Sequence, residues 1–221
     1  MIPNELKFLR VFESYTSIQG EGAHSGLPCH FIRTGVCDIR CTWCDTPQAL
    51  ASGEFWSKEK ILASIPGWVH LVQITGGEPL IQKSSVIELA TVLAGEPFRK
   101  KVLLETGGHR SLEGLPESVH IVMDIKLPAS GEDHHPFEKN FQFLKPTDEI
   151  KFVIKDRLDF DRAVGWIRTH NLEFVCELLL SPVWGAVKLD DLVSWTLQES
   201  IDARIQTQLH KIIWGADAVG V

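Results

Sequence analysis

Three cysteines, Cys37, Cys41 and Cys44, stand in the run C-D-I-R-C-T-W-C. Gaps of three and two residues let one loop wrap three thiolates around a single inorganic cube. An iron–sulfur cubane normally takes four cysteine ligands, so three leave one iron open to bind something else. A glycine turn, T-G-G-E-P from Thr75 to Pro79, follows about one βαβ unit later. Gly76 and Gly77 would let backbone approach a ligand closely and adopt φ > 0. The other reading of the cysteines is a structural zinc site, which is closed and nearly always has four protein ligands. The remaining cysteines, Cys29 and Cys176, fall in strand-like runs, which leaves His24 or His30 as the fourth zinc ligand.

The elements that must position these residues alternate between strand-like and helix-like, with no repeat, low-complexity segment or linker. Strands are expected at 7–14, 30–36, 70–75, 101–106, 119–126, 149–155 and 174–180, with a final strand and tail over 204–214. Ser57 can cap a short helix that runs to Ile65. Val86, Leu89, Ala90 and Leu93 share one face of a helix over 85–94 that Gly95 can terminate. Further helices are expected over 160–170 and 189–199. Such alternation implies βαβ units and a parallel sheet, whose right-handed crossovers put the strand carboxyl ends on one rim. Cys37, Thr75, Thr106 and Lys126 each follow a strand and so share that rim.

A length of 221 residues suits a single domain, 1–221, with a substantial core, yet it is short of the ~250 residues of a closed eight-fold barrel. The net charge of -7 argues against a nucleic-acid surface. Five cysteines, an odd count with three clustered, fit a reducing compartment better than a disulfide scaffold. No apolar run approaches the ~20 residues that span a bilayer, and M-I-P-N-E-L-K-F-L-R lacks an apolar signal region. A cytoplasmic protein without membrane contact is expected.

The cysteine run with T-G-G-E-P resembles the radical S-adenosylmethionine (SAM) superfamily. Further motifs narrow it: S-I-Q-G-E-G, F-I-R-T-G-V-C, C-T-W-C-D-T, T-G-G-E-P and E-T-G-G, in that order from Ser17, with the likeness resuming from Gln206 to the end. They resemble the 7-carboxy-7-deazaguanine synthase family of queuosine and deazapurine biosynthesis. The resemblance implies an α/β fold, an incomplete, laterally open (β/α) barrel of about six core parallel strands. It also implies a lyase reaction in which a radical rearranges 6-carboxy-5,6,7,8-tetrahydropterin into 7-carboxy-7-deazaguanine with loss of ammonia. The cofactors it implies are a [4Fe-4S] cluster, SAM and Mg2+. Its partners would be the pterin, an electron donor such as flavodoxin, and a second copy of the chain in a homodimer.

By the same resemblance, Cys37, Cys41 and Cys44 would hold the cluster and Thr46 the magnesium. Trp43, Cys44, Asp45, Gly77, Asp124 and Lys126 would line the SAM site, joined by Ser181 and Pro182. Many relatives carry Ser-Pro-Lys where this chain has Asp124-Ile125-Lys126, and a Gln-Pro segment where it has Ser181-Pro182-Val183-Trp184. Ile18, Gln19, Gly20 and Thr75 would contact the pterin, with Glu105 and His210 beside it. Arg33 would pair with its carboxylate, since a guanidinium fork matches two carboxylate oxygens. The terminal carboxylate at Val221 would fold back onto it. No side chain is assigned as catalytic, because the radical would arise at the cluster and SAM. The rival enzyme is a glycyl-radical activating enzyme, suggested by the D-I-K strand end. The rival of another class is a zinc-stabilised binding module.

Overall fold

The computed structural model describes residues 8–218 and 220–221. Among these residues one nine-stranded sheet runs in the order β3-β1-β2-β4-β5-β6-β7-β8-β9 and does not close. Its two edges are the short strands β3 (Glu54–Trp56) and β9 (Arg204–Ile205). Six strands form the parallel core: β2 (Pro28–Thr34), β4 (Leu71–Gly76), β5 (Lys101–Thr106), β6 (Val119–Ile125), β7 (Glu149–Ile154) and β8 (Glu177–Pro182). This is the expected open barrel. β1 (Leu9–Ile18) is antiparallel to both β2 and β3, so the Q-G-E-G segment closes a β1–β2 hairpin.

Strand alternation divides the side chains. On β7, Ile150, Phe152 and Ile154 join the main apolar core, whereas Glu149, Lys151 and Val153 face the opposite way into a cavity. Residues i and i+2 share a face of a strand, and β4, β5 and β6 follow the same rule. The outer core is covered by α1 (Lys58–Ser64), α2 (Lys83–Ala94), α3 (Arg157–His170) and α4 (Leu189–Glu199). Ser57 caps α1 by accepting from Lys60 N, and α2 buries the four residues expected of it. Cys29, Phe31, Leu71 and Leu103 plug the inner floor, with Tyr15 stacked on Phe31 at 5.2 Å between centroids.

Several boundaries differ from expectation. The first strand extends through Ile18, held by β2 along its length, and Lys7 lies outside the described residues. α3 begins earlier, at Arg157, where the Asp156 carboxylate accepts from Asp159 N. Leu172–Phe174 is a 3-10 turn, so the strand expected from Phe174 starts at Glu177. The final strand over 204–214 is corrected to two strand residues followed by a helix, α5 (Leu209–Trp214). β9 pairs with β8 only through two residues, and α5 instead lies over the sheet rim, where Leu209 N donates to Gly20 O at 3.0 Å.

Candidate active site

The strand carboxyl ends open into a cavity of about 330 Å³, within the ~300–1,000 Å³ range of small-molecule sites. The cysteine loop forms one wall, the Q-G-E-G hairpin and α5 form another, and inward-facing strand residues form the base.

At the base is a chain of polar contacts. Gln19 Nε2 donates to Gln73 Oε1, and Gln73 Nε2 donates onward to Glu105 Oε2 at 2.8 Å. Thr75 Oγ1 donates to the same oxygen at 3.2 Å. Lys151 Nζ then meets Glu105 Oε1 at 2.5 Å, Glu21 Oε2 at 3.0 Å and Asp124 Oδ2 at 3.4 Å. Burial alone would lower the Lys151 ammonium, but three carboxylates outweigh it and hold the group well above its ordinary value. Burial would raise Glu105, yet Lys151, with Arg33 and Lys126 beyond it, keeps that carboxyl below its ordinary value. The base therefore presents a fixed anion next to a fixed cation.

Lys126 Nζ sits 3.0 Å from Asp124 Oδ2. Oδ1 of Asp124 is buried and has no hydrogen-bond partner among the described residues. Because a buried polar atom without a partner costs roughly 1–3 kcal/mol, this oxygen marks a place for a ligand donor. Arg33, register partner of Thr75, gives Nε to Glu13 at 2.8 Å and Nη1 to Gly76 O at 3.3 Å. Burial pushes the His210 imidazole down, which favours its neutral form.

The glycine turn differs from expectation in its physics. Neither Gly76 nor Gly77 takes a positive φ. The close approach is to the chain's own backbone: a Cβ on Gly77 would lie 2.0 Å from Val36 O. The positive φ falls on Val36 itself, at 78°, an outlying conformation for a β-branched residue. It is held by Val36 N donating to Ala49 O at 2.7 Å and Val36 O accepting from Glu78 N at 2.8 Å. The Glu78 side chain is fully buried and accepts from Leu80 N, Thr106 Oγ1 and Gly107 N. It ties the two glycine turns together.

Cys37 is buried and Cys41 and Cys44 half-buried, all three lining the cavity. Burial pushes the Cys41 thiol up to about 11. A structural zinc site would need a fourth protein ligand beside the three thiols. Neither histidine offered as a fourth zinc ligand is near. His30 binds the Ser14 and Thr16 hydroxyls, and His24 packs on the His120 ring at 4.9 Å. The donor set of three thiols facing an unpartnered carboxylate oxygen fits an iron–sulfur cube with a polar ligand beside it.

Every site residue expected from the sequence lines this one cavity, Ser181, Pro182 and Val221 included. Asp45 is turned toward α5, its Oδ2 accepting from Gln208 at 2.8 Å and its Oδ1 paired with Lys211 at 3.0 Å. Thr46 precedes the 3-10 turn Pro47–Leu50 without capping it. Trp184, 43% exposed, lies at the mouth. Sequence reasoning missed Lys151, Gln73 and Glu149 as lining residues. A signal existed: E-I-K-F-V-I places two charges at i and i+2 of a strand whose other face is apolar.

No family model matches the chain. Proteins named 7-carboxy-7-deazaguanine synthase are similar to it along nearly its whole length. That of Koribacter versatilis (strain Ellin345) is 37% identical, covering 96% of this chain and 100% of the relative. That of Methanospirillum hungatei JF-1 is 38% identical, covering 93% and 85%. The crystal structure of QueE from Escherichia coli superposes with a TM-score of 0.70 over 95% of this chain and 100% of that one, at 22% identity, a likeness of fold. Neither the activating-enzyme reading nor the zinc module is favoured by these likenesses.

Proposed function

The chain belongs to the 7-carboxy-7-deazaguanine synthase family, and from that premise we propose that it converts 6-carboxy-5,6,7,8-tetrahydropterin into 7-carboxy-7-deazaguanine with loss of ammonia, as a radical SAM enzyme. When bound, a [4Fe-4S] cluster on Cys37, Cys41 and Cys44 and its SAM supply a 5′-deoxyadenosyl radical, and the protein supplies position and shelter. The observation that carries the reading is the convergence of those thiols with a Glu105 anion fixed by Lys151 in one cavity.

Glu105 would accept from the N–H edge of the pterin, and Lys151 keeps it anionic for that purpose. A neutral His210 can accept or donate beside it. Because Glu13 occupies Nε of Arg33, the substrate carboxylate would meet the Nη end of the guanidinium. Ile18, Gln19, Gly20, Thr75 and Val221 would complete the pterin's surroundings, the glycine and Val221 through backbone. Asp124 Oδ1 would take a hydrogen bond from SAM, with Trp43, Gly77, Lys126, Ser181 and Pro182 around it.

Mg2+ at Thr46 belongs to the same proposal. The threonine hydroxyl is not used to cap the following turn, and magnesium prefers an octahedral oxygen shell with retained waters and substrate oxygens. Thr46→Ala should weaken magnesium stimulation while iron content stays intact. A homodimer has a face available, since Ile212, Ile213 and Trp214 of α5 are exposed. The electron donor would be an external one-electron protein such as flavodoxin. Among the described residues no helix is long and apolar enough to cross a membrane.

The test is an anaerobic assay with SAM, reductant and the carboxylated tetrahydropterin, followed by mass. Appearance of 7-carboxy-7-deazaguanine supports the proposal. SAM cleavage without that product would overturn it.

A further inference from the structure

A second cluster of donor atoms lies outside the cavity, in the segment G-E-D-H-H-P that follows Ser130. One ligand atom each from Glu132, His134 and His135 falls within 4.8 Å of the other two. His135 Nε2 is 3.1 Å from Glu132 Oε2. The rings of His134 and His135 lie 4.3 Å apart, and the His109 ring lies 5.1 Å from that of His135. None of these groups takes part in the proposed reaction.

Two of the three groups are already oriented. Glu132 Oε1 accepts from Arg40 N at 2.6 Å, and Glu132 N donates to Ser130 Oγ at 3.0 Å, so the carboxylate has one oxygen committed and one turned to the histidines. His135 packs against the His109 and Phe137 rings. His134 is exposed and can swing the short distance that closing around an ion requires.

We propose that Glu132, His134 and His135 bind a divalent transition cation of the zinc class, with solvent completing the shell. Two imidazoles and one carboxylate with an open position form a borderline donor set that suits zinc and its neighbours. Magnesium, which favours all-oxygen octahedra, would not be held here, so this site is chemically distinct from one at Thr46. Arg40 lies between Cys37 and Cys41, and Thr42 is pinned to the same segment through Ser130 O at 3.1 Å and Ala129 O at 2.9 Å. An ion on Glu132 would therefore brace the cysteine loop from outside the cavity.

The test uses tag-free protein with its cysteines occupied by the assembled cluster, dialysed anaerobically against micromolar Zn2+. Zinc, iron and sulfide are then counted per chain. One equivalent of zinc with iron unchanged is expected. His134→Ala/His135→Ala should bind zinc at least tenfold more weakly. Glu132→Gln, which keeps an acceptor for Arg40 N, should do the same without loss of thermal stability. Zinc should also raise the melting midpoint of the wild type, as any ligand of the folded state does, but not that of the variants. Zinc uptake equal in all the proteins, uptake matched by loss of iron, or no stoichiometric uptake would each overturn the proposal.

Discussion

Gly77 and Val36 touch across the seam between the glycine turn and the cysteine loop, so closely that a side chain on the glycine would overlap the valine carbonyl, 2.0 Å from the ideal Cβ. Gly77→Ala must force the two backbones apart and break the Glu78 N to Val36 O bond. We expect a stability loss of about 2–4 kcal/mol and less iron retained after reconstitution. Gly67→Ala, where a Cβ meets nothing within 4 Å, should leave both unchanged. Equal iron content in the two variants would remove the seam from any role in holding the loop.

The five thiols should separate into two groups. Alanine at Cys37, Cys41 or Cys44 should eliminate bound iron. Alanine at Cys29 or Cys176 should keep it and cost only about 1 kcal/mol of stability. Burial pushes Cys29 and Cys176 up to about 12 and Cys41 up to about 11, so alkylation of the cluster-free protein at pH 8 should be slow at all three. Mass mapping of modified peptides would show it.

Lys151 lies within 3.4 Å of three carboxylates at the base of the cavity. Lys151→Met takes the ammonium away from Glu105 and Glu21, while Asp124 keeps Lys126, at a cost of about 3–5 kcal/mol. Adding Glu105→Gln should recover part of that loss. Thermal denaturation of the two single variants and the double variant completes a cycle, and strictly additive effects would show that the pair is not coupled.

Arg33→Lys keeps the charge but loses the planar fork and the Nε bond to Glu13. We expect a KM for the carboxylated pterin at least tenfold higher, with a smaller change in kcat. Unchanged kinetics would make Arg33 a partner of Glu13 alone.

Burial pushes His30 down to about 4 from an ordinary 6.5. Between those values the unfolded chain binds the proton and the folded chain does not. Stability from this group is therefore complete above pH 6.5 and declines as pH falls toward 4, by about 3 kcal/mol. Chemical denaturation across this window should give a steeper slope for the wild type than for His30→Gln. Equal slopes would assign the acid sensitivity elsewhere.

The helix over 83–94 was legible because Val86, Leu89, Ala90 and Leu93 bury one face, and the parallel strands were legible as apolar runs ending at chemistry. The cavity residues were legible wherever a motif carried them. Lys151 was not, because its meaning depends on Glu105 and Glu21, 46 and 130 residues away. α5 was misread for a related reason. Its I-I-W run looks like a strand, but β9 meets β8 through only two residues and leaves no edge to extend. The phase of α3 was blurred by Leu158, apolar yet 65% exposed. Gly77 was singled out for the right property, close approach, but its neighbour is the chain itself.

The two walls of the cavity are fastened by different forces. The cysteine loop is stitched to the glycine turn by backbone bonds and steric fit, which mobile ions hardly touch. α5 is fastened to the same loop partly through Lys211 and Asp45, whose carboxylate is 57% exposed, a contact that ions screen. Concentrated salt should therefore loosen α5, and with it His210, while the backbone seam between Gly77 and Val36 stays in place.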